Sequence, residues 1–359
     1  MKKYIFNLPI NKTSLGNVSV CLLKEAYEAG DSPLIFPIGG TDISVFNLDE
    51  DFTAWLQDRV SSALKEVKHD MPSLKHYHLS GGFQKFGGKQ VLFTPHELYD
   101  ATDQEVESCF AQSSTVFTSS HSASVFQNAG VENATFANLG FDKELNAGFP
   151  RKKGGVHFSL IGKAEKRKNT IQIIKNWIEL FGNDYDYHLS CLINNLFLPK
   201  EKLDEMMQEA TGGKHYGNIS FLPFLGDNNS LSDFMHSIDI DLSGLSNGEG
   251  WNLPSFNMTA LGTWSVIANH TAHLDWADSD NAILVEPEKE LQSAVDNVFF
   301  FEDQPFNCGR YCKISDEAMK EGMERAVNTF NDRSVNEAGK LLQKKFTYEN
   351  TYKTLTNLL

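Results

Sequence analysis

Two lysines in a short basic loop are the first candidates for chemistry. The segment 162–169 reads GKAEKRKN, and it lies between an apolar run at 156–161 and a helical pattern. Cations in a strand-to-helix loop can meet an anion that also faces the helix N-terminus. Lys163 and Lys168 are therefore candidates to clamp a diphosphate. The alternative is a solvated basic loop in which Glu165 balances the charge.

A carboxylate flanked by glycines is the second candidate. Glu249 lies in the segment 245–254, LSNGEGWNLP, after another apolar run and before another helical pattern. Gly248 and Gly250 would let ligand atoms approach the backbone N–H groups closely, because glycine has no side chain. Glu249 could then accept hydrogen bonds from sugar hydroxyls. Its alternative role is to complement the dipole of the following helix.

A histidine closes a third strand-like segment. His96 follows the apolar run 91–93 and the residues Thr94 and Pro95, so we expect it at the carboxyl edge of a sheet. An imidazole at that edge could donate a hydrogen bond to a substrate hydroxyl or stabilise developing charge. The alternative is a structural histidine whose hydrogen bonds are made within the fold.

Two pairs of side chains resemble metal ligands in type. Asp239 and Asp241 form a DxD pattern, but they lie inside an apparent strand. His76 and His78 share one strand face, and a zinc site would need two more partners. No GxSxG, HExxH, P-loop or GxGxxG motif occurs in the sequence. We therefore expect neither a metal ion nor a bound cofactor.

Composition limits the classes of protein and partner. The chain has 359 residues, which favours two domains, and hydrophobic residues make up 41% of it. Its formal net charge of −15 argues against a protein that binds nucleic acid or anionic membrane over its whole surface. No apolar stretch approaches the roughly 18 residues of a membrane span. The five cysteines lack CxxC spacing, so we expect reduced thiols and a cytoplasmic protein.

Short apolar runs alternate with helical periodicity along the chain, which is typical of βαβ units and a parallel sheet. We expect strands near residues 4–6, 33–36, 76–79, 91–93, 156–161, 187–192, 219–222, 238–242, 265–268 and 282–285. We expect helices near residues 18–27, 52–67, 104–109, 122–129, 170–181, 200–209, 230–236, 253–261, 315–331 and 334–359. The fold class is therefore α/β.

The composition changes near residue 150. The segment 148–155, GFPRKKGG, combines Gly, Pro and basic residues, which is typical of an exposed linker. We expect one doubly wound domain at 1–150 and a second at 151–345. Two such domains that face each other would leave a central cleft at the carboxyl ends of their strands, where α/β sheets bind ligands.

Taken together and in this order, these segments resemble the retaining nucleotide-sugar glycosyltransferases of the GT-B fold, of the glycosyl transferases group 1, or family 4, type. In the first half the resemblance rests on Ser14-Leu15-Gly16-Asn17, Thr94-Pro95-His96-Glu97-Leu98, the segment 118–130 and Asn138-Leu139-Gly140-Phe141-Asp142. In the second half it rests on the G-[RK]-x-x-x-x-K pattern at 162–168, the segment EGWNLP at 249–254, which is similar to the family's E-G-F-G-L-P loop, and the segments 259–268 and 346–349. The resemblance covers nearly the whole chain. It implies two Rossmann-like domains, with a C-terminal helix at about 346–359 that packs back toward the first.

The resemblance also implies roles for individual residues. The catalytic residues would be Glu249, His96, Lys163 and Lys168. The donor would be bound by Gly16, Asn17, Gly162, Gly250, Trp251, Asn252, Leu253 and Asn257. The family normally has a second Glu, eight residues after the first, that binds the nucleotide ribose, and here that position is Asn257. An uncharged amide should bind the ribose more weakly, so either donor binding is altered or activity has been lost.

The implied reaction is transfer of a sugar from a nucleoside-diphosphate sugar, as co-substrate, to a carbohydrate or another small or polymeric acceptor. The anomeric configuration would be kept, and no metal would be needed. Two rivals stay open: a GT-B sugar-nucleotide epimerase or phosphorylase, and a non-catalytic protein that binds sugar nucleotides. A modified base in phage DNA is a further candidate acceptor, against which the net charge argues. The basic run at 151–153 keeps that candidate open.

Overall fold

The computed structural model of the protein describes residues 3–149, 154–195 and 198–359. Pro150 and the basic run 151–153, in which we expected the linker, lie outside the described residues. Within the described ranges, no helix is both long enough and apolar enough to cross a bilayer.

The chain divides into two compact units. One is Met1–Asp142 together with Phe346–Leu359, and the other is Lys143–Lys345. The boundary expected after residue 150 lies instead after Asp142. The reason is that the 3-10 turn Lys143–Ala147 packs on the second unit, where the Leu145 carbonyl accepts hydrogen bonds from Ser232 Oγ at 2.7 Å and His236 Nε2 at 2.8 Å.

The first unit is built on a parallel sheet with crossover connections. Its strands are β1 (Ile5–Leu8), β2 (Leu34–Pro37), β3 (Ser73–His76), β4 (Gln90–Thr94), β5 (Ser114–Phe117) and β6 (Ala134–Phe136). Its first four helices are α1 (Ser14–Glu28), α2 (Glu50–Glu66), α3 (Asp103–Phe110) and α4 (Ser120–Asn128). In the described part of the chain the sheet has six strands, in the order β2-β1-β3-β4-β5-β6. The central strands are buried along nearly their whole length, as in sheets covered on both faces.

Side-chain caps explain where the helices of the first unit begin. Thr13 accepts a hydrogen bond from the N–H of Gly16 at the start of α1, and Asp49 caps α2 in the same way. Thr102 and Glu105 form a reciprocal capping box at α3. Each cap satisfies N–H groups that the first helical turn leaves without a partner.

The second unit repeats this architecture. Its strands are β7 (Val156–Lys163), β8 (Tyr187–Asn194), β9 (Ile219–Phe221), β10 (Ile240–Asp241), β11 (Trp264–Ala268), β12 (Ile283–Val285), β13 (Leu291–Ser293) and β14 (Arg310–Cys312). Its helices are α5 (Thr170–Phe181), α6 (Lys200–Thr211), α7 (Asn228–His236), α8 (Leu253–Ala260), α9 (Asp316–Asp332), α10 (Glu337–Lys340) and α11 (Leu342–Lys345). Over the described residues, the main sheet has the order β12-β11-β10-β7-β8-β9. Its core packs Phe158 and Leu189 of the sheet against Trp177 of α5.

Two features of the second half were not expected. β13 and β14 form an antiparallel pair that the sequence pattern did not indicate. The single helix expected at 334–359 is wrong, because it is divided into α10, α11 and α12 (Tyr348–Thr356). The last break occurs because the Phe346 carbonyl accepts a hydrogen bond from the N–H of Phe141 at 3.0 Å, and Thr347 then caps α12.

α12 belongs to the first unit. Its Tyr352 hydroxyl lies 2.6 Å from the hydroxyl of Tyr4, the residue before β1, and donates to the Asp31 carboxylate at 2.5 Å. Gly140 lies so close to α12 that a Cβ atom there would be 2.0 Å from the backbone nitrogen of Tyr348. Only glycine allows this approach of the two backbones.

Candidate functional site

Two loops meet at the carboxyl edge of the second sheet. β7 pairs in parallel with β10, so the loops that follow them lie at the same edge. The loop 164–169 leads from β7 into α5, and the loop 242–252 leads from β10 into α8. A backbone hydrogen bond of 2.9 Å from the N–H of Asn247 to the Arg167 carbonyl joins them.

These loops bring together Lys168 and Glu249. Lys168 Nζ lies 2.5 Å from Glu249 Oε1, and the two side chains are 16% and 5% exposed. A buried carboxylate needs a cation or several hydrogen bonds to compensate its lost hydration. Lys168 supplies the nearest cation, so two residues that were selected from separate sequence segments form one structural pair.

Charge compensation keeps Glu249 ionised. Burial alone would raise the pKa of this carboxyl group. Lys168 and then Arg167 outweigh burial, with a smaller contribution from His273, and lower the pKa of Glu249 to about 2. The group is therefore a carboxylate throughout the physiological pH range, able to accept but not to donate hydrogen bonds.

Arg167 is the main member of the site that the sequence did not single out. Its guanidinium lies 3.1 Å from Glu165 Oε2 and 3.4 Å from Glu249 Oε1, and it donates to the Gly248 carbonyl. The side chain is only 6% exposed and lies over the ring of Phe300. In the sequence Arg167 differs little from its exposed neighbour Lys166, so no local pattern marked it.

Lys163 is placed differently from Lys168. Its side chain is 50% exposed, and Nζ lies 3.6 Å from Glu165 Oε1 and 4.7 Å from the ring centre of Phe299. The alternative, in which Glu165 balances the charge of this loop, is therefore present in this structure. Half of the side chain stays accessible, so the pairing does not prevent contact with a ligand.

Residues that follow β11 form hydrogen bonds with the backbone of the loop that carries Glu249. The N–H of Glu249 donates to Thr271 Oγ1 at 3.1 Å, and the Glu249 carbonyl accepts from the N–H of Ala272 at 3.3 Å. His270 Nε2 donates to the Ser246 carbonyl at 2.9 Å. These bonds fix the backbone at the carboxylate, so its position does not depend on Lys168 alone.

Asn252 is the N-cap of α8 and an organising residue of the loop. Its backbone is left-handed, with φ of 68°, and Oδ1 accepts from the N–H of Ser255. Nδ2 donates to the Ser243 carbonyl at 2.9 Å and lies 3.1 Å from His273 Nε2. His273 Nδ1 lies 2.8 Å from the Ala268 carbonyl, which can only accept, so Nδ1 carries the proton and Nε2 accepts from Asn252.

Other predicted donor-binding residues around this loop are largely structural in their observed contacts. The Trp251 ring is 3% exposed and packs 5.2 Å from the Phe256 ring. Leu253 begins α8 and is partly buried, and Gly250 is buried within the loop. Gly162 in β7 has φ of 157°, and no atom lies within 4 Å of the position that a Cβ would take.

Asn257, the predicted ribose contact, lies in α8 and is 7% exposed. Its buried Oδ1 has no hydrogen-bond partner among the described residues. Such an atom is costly unless a ligand or water supplies a donor. This is the feature expected of a ligand-binding amide, although the contact itself stays a prediction.

The two aspartates of the DxD pattern have partners within the protein. Asp239 Oδ2 accepts from the N–H of His157 at 2.9 Å. Asp241 Oδ1 accepts from Ser159 at 3.1 Å and Ser243 at 2.6 Å, and its Oδ2 accepts from Ser255 at 2.6 Å. In the described ranges, no group of three or more His, Cys, Asp or Glu side chains could hold a metal ion.

His96 belongs to the first unit and is 3% exposed. It follows β4, as expected, and its Nε2 lies 3.0 Å from the Asp100 carbonyl. Because that carbonyl can only accept, Nε2 carries the proton, and Nδ1 of the neutral ring is an acceptor. The ring packs 5.0 Å from Phe126. A neutral His96 would therefore accept from a hydroxyl through Nδ1 rather than donate to it.

Gly16 and Asn17 lie in the first turn of α1. A Cβ at Gly16 would be 1.9 Å from the Asn11 carbonyl oxygen, so this position requires glycine for packing. The Asn17 side chain forms a hydrogen bond with the buried Asp142 carboxyl and accepts from Cys21 Sγ at 3.5 Å. Burial raises the pKa of Asp142, and Lys24 and Asn17 oppose that rise in part.

Comparison with solved structures identifies the fold. The sucrose-phosphate synthase of Thermosynechococcus elongatus matches with a TM-score of 0.70 and 11% identity, over 100% of this chain and 98% of that chain. HepE of Anabaena in complex with UDP matches with a TM-score of 0.65 and 13% identity, over 99% of both chains. The E. coli structure named for trehalose-6-phosphate and bound with UDP-2-fluoro glucose matches with a TM-score of 0.66 and 10% identity, over 99% of both chains.

This chain has the GT-B fold. The expected fold class, α/β with two Rossmann-like parallel sheets, is thereby confirmed. No protein-family model and no curated protein matches the chain. The GT-B assignment therefore rests on structure, and a fold alone does not fix an activity.

Proposed function

We propose that the protein is a glycosyltransferase that moves a sugar from a nucleoside-diphosphate sugar to an acceptor. The observation that carries the proposal is the Lys168–Glu249 pair at the carboxyl edge of a parallel sheet. A diphosphate is bound by fixed cations, and sugar hydroxyls are bound by acceptors such as carboxylates. The GT-B fold supports the proposal, since structures that share it hold UDP and UDP-2-fluoro glucose.

The cations would act on the leaving group. As the bond from the anomeric carbon to the phosphate oxygen breaks, negative charge grows on the diphosphate, and preorganised positive charge stabilises it. Lys168 is mostly buried, whereas Lys163 is half exposed. Lys168 would therefore reach the leaving group from within the site, and Lys163 would close onto the phosphate from the solvent side.

Hydrogen-bond acceptors would orient the donor sugar. Glu249 would accept hydrogen bonds from donor hydroxyls, and His96 would accept another through Nδ1. The new bond forms between the acceptor oxygen and the anomeric carbon on the face that the phosphate leaves. The proton of the acceptor hydroxyl passes to the departing phosphate, so the anomeric configuration is retained and no protein nucleophile is required.

The nucleotide contact would involve Asn257. Its buried Oδ1 could accept one hydrogen bond from a ribose hydroxyl, and its amide could donate another. Because the amide is uncharged, this contact would be weaker than that of a carboxylate. The rival in which the protein binds sugar nucleotides without turnover is motivated by the same residue.

We further propose that transfer needs no metal ion. The leaving-group charge would be met by Lys163 and Lys168, while the oxygens of Asp241 already accept hydrogen bonds from three serines. A chelator such as EDTA should leave turnover unchanged. Loss of turnover that Mg²⁺ or Mn²⁺ restores would overturn this part of the proposal.

A donor screen tests the function directly. UDP-, GDP- and ADP-sugars are added to the protein, and the melting temperature is measured. A ligand at 100 times its Kd stabilises the folded state by about 2.7 kcal/mol, which corresponds to a rise of several degrees. The donor that binds is then incubated with carbohydrate acceptors, and the product anomer is identified by NMR. Glu249→Gln serves as the matched inactive control.

The products distinguish the proposal from its rivals. A new glycoside with retained configuration supports transfer. An isomerised sugar nucleotide indicates an epimerase, a sugar 1-phosphate formed from a glycoside indicates a phosphorylase, and binding without turnover over many acceptors indicates a non-catalytic protein. No stabilisation by any sugar nucleotide would contradict the proposed function.

We also propose that the protein works in a reducing compartment such as the cytoplasm. All five cysteines are free thiols in the structure. Cys109 in α3 and Cys191 in β8 are fully buried in different units, where each behaves as a small apolar side chain.

A further inference from the structure

If the proposed function is right, on which this inference rests, Lys168 has two anionic partners: Glu249 and the donor diphosphate. In this structure Lys168 is bound to Glu249, yet a donor diphosphate would draw the same ammonium group toward itself. A buried carboxylate that loses its cation is strongly destabilised. Another cation must then compensate the negative charge of Glu249 while Lys168 binds the donor diphosphate.

Arg167 is positioned to do so. Its Nη1 lies 3.4 Å from the same Glu249 oxygen that Lys168 contacts. Glu165, which is 2% exposed, holds the other end of the guanidinium at 3.1 Å, and the Gly248 carbonyl accepts a further hydrogen bond. These anchors keep Arg167 in place and turned away from solvent, so a ligand would not draw it off Glu249.

Two histidines also face Glu249. His273 and His270 both lie close enough to interact with its charge. Burial lowers the pKa of His273 to about 4 and also lowers the pKa of His270, which Glu249 and Glu286 only partly oppose. Both rings are therefore neutral at pH 7, and Lys168 and Arg167 are the cations beside Glu249 in the described part of the chain.

We propose that Arg167 is a positioning residue that keeps the Glu249 carboxylate compensated when Lys168 shifts to the donor diphosphate. Arg167 and Lys168 therefore have different roles. Arg167 stays with the carboxylate and holds it ready for the sugar hydroxyls. Lys168 becomes available to the leaving group without leaving a buried charge alone.

The test uses the free protein and needs no donor. Lys168→Met imitates the departure of the lysine, and Arg167→Met removes the cation that should remain. We expect each single variant to fold with a moderate loss of melting temperature at pH 8. In the double variant the loss should exceed the sum of the single losses by on the order of 6 °C, because Glu249 then has no cation. Losses that simply add would overturn the proposal.

The pH dependence identifies the charge responsible. An unpaired buried carboxyl has a folded pKa above its unfolded pKa, so its destabilising effect is present at high pH and fades as pH falls. The excess loss of the double variant should therefore shrink between pH 8 and pH 5. Adding Glu249→Gln to the double variant should also remove the excess at pH 8. If the excess persists under both conditions, Arg167 acts only through packing and the proposal fails.

Two controls separate charge from packing. Lys320→Met and Arg325→Met change a lysine and an arginine of α9 that pair with different carboxylates, so their losses should add at both pH values. Arg167→Lys restores a cation, and in combination with Lys168→Met it should abolish most of the excess. If the double variant fails to fold at pH 8, recovery of folding by the added Glu249→Gln change supports the proposal, and no recovery counts against it.

A ligand experiment then tests whether donor binding draws Lys168 away from Glu249. UDP-2-fluoro glucose carries no phosphate proton that titrates near neutral pH, so calorimetry in buffers of different ionisation enthalpy reports protons taken up by the protein. We expect no uptake by the wild type and a fraction of a proton taken up by Arg167→Met. Failure of the wild type to bind any sugar nucleotide of the screen counts against the proposed donor, whereas additive losses in the free protein count against the role of Arg167.

Discussion

Ser255 Oγ donates a hydrogen bond of 2.6 Å to Asp241 Oδ2, and this bond joins the end of β10 to the first turn of α8. The loop between these two residues carries Glu249, so the bond closes the loop at its base. Asp241 Oδ1 accepts from Ser159 and Ser243 on the other side. One buried carboxyl thus connects β7, β10 and α8 beneath the candidate site.

Asp241→Ala is expected to lower the free energy of unfolding by more than about 3 kcal/mol, because three buried hydroxyls lose their acceptor. Urea denaturation followed by tryptophan fluorescence measures the loss. Asp204→Ala, at an exposed position on α6, is the control and should change stability by less than about 0.5 kcal/mol. Equal urea midpoints for wild type and Asp241→Ala would show that the loop does not depend on this carboxyl.

Glu249→Ala should lower kcat by on the order of 100-fold, the size found when one preorganised polar contact to a transition state is removed. The rate of product formation with the donor found in the screen is the measurement. Glu209→Ala, on the exposed face of α6, removes a carboxylate of the same unit that lies in a surface ion pair and should leave the rate unchanged. Near-normal turnover of Glu249→Ala contradicts the assignment of this residue.

The two lysines of the basic loop should differ in their effect on nucleotide binding. Lys168→Ala removes a mostly buried cation, so the Kd for the nucleoside diphosphate should rise by roughly 10- to 100-fold. Lys163→Ala removes a half-exposed cation and should raise Kd only several-fold. Titration calorimetry measures both, with Lys175→Ala on α5 as a control. Unchanged affinity in both variants would remove the diphosphate clamp from the proposal.

His273 should make stability depend on pH below neutrality. Its folded pKa is about 4, chiefly because of burial, and that of an unfolded histidine is about 6.5. The unfolded chain therefore binds more protons between these values, and stability is lost as pH falls from about 6.5 to about 4. The difference between the folded and unfolded pKa values of His273 corresponds to about 3 kcal/mol in the free energy of unfolding.

Replacing the ring tests this linkage. His273→Gln should lose less stability than the wild type between pH 7 and pH 4.5 in chemical denaturation. His215→Gln, at an exposed position, should leave the pH dependence unchanged. An identical slope for His273→Gln and the wild type would mean that other groups carry the effect.

The sequence predicted the fold class, and it singled out Lys168 and Glu249 as separate candidates, because both steps depend on regular patterns. Alternating apolar runs and helical periods indicated two parallel sheets, and the loops after two of these runs contained Lys168 and Glu249. Parallel strands bring such loops to one edge whatever the distance along the chain. The pairing of these two residues is a consequence of that rule.

Other features depend on contacts that no local pattern encodes. Arg167 and Lys166 are adjacent and similar in type, and only the folded loop makes one buried and the other exposed. The resemblance implies that Gly16 binds the donor. In the structure, a side chain at this position would clash with the Asn11 carbonyl oxygen, which no local pattern indicates. The unit boundary after Asp142 follows from hydrogen bonds at Leu145 to residues 87 and 91 positions away in sequence.

The placement of α12 affects the order in which the two units can be completed. The second unit is one continuous segment, whereas the first is finished only by residues that follow it. During translation, every residue of Lys143–Lys345 leaves the ribosome before Tyr352 can reach Tyr4 and Asp31. The half of the molecule that is synthesised first is therefore the half that must wait, with the surface of α1 that packs on α12 uncovered, until α12 emerges.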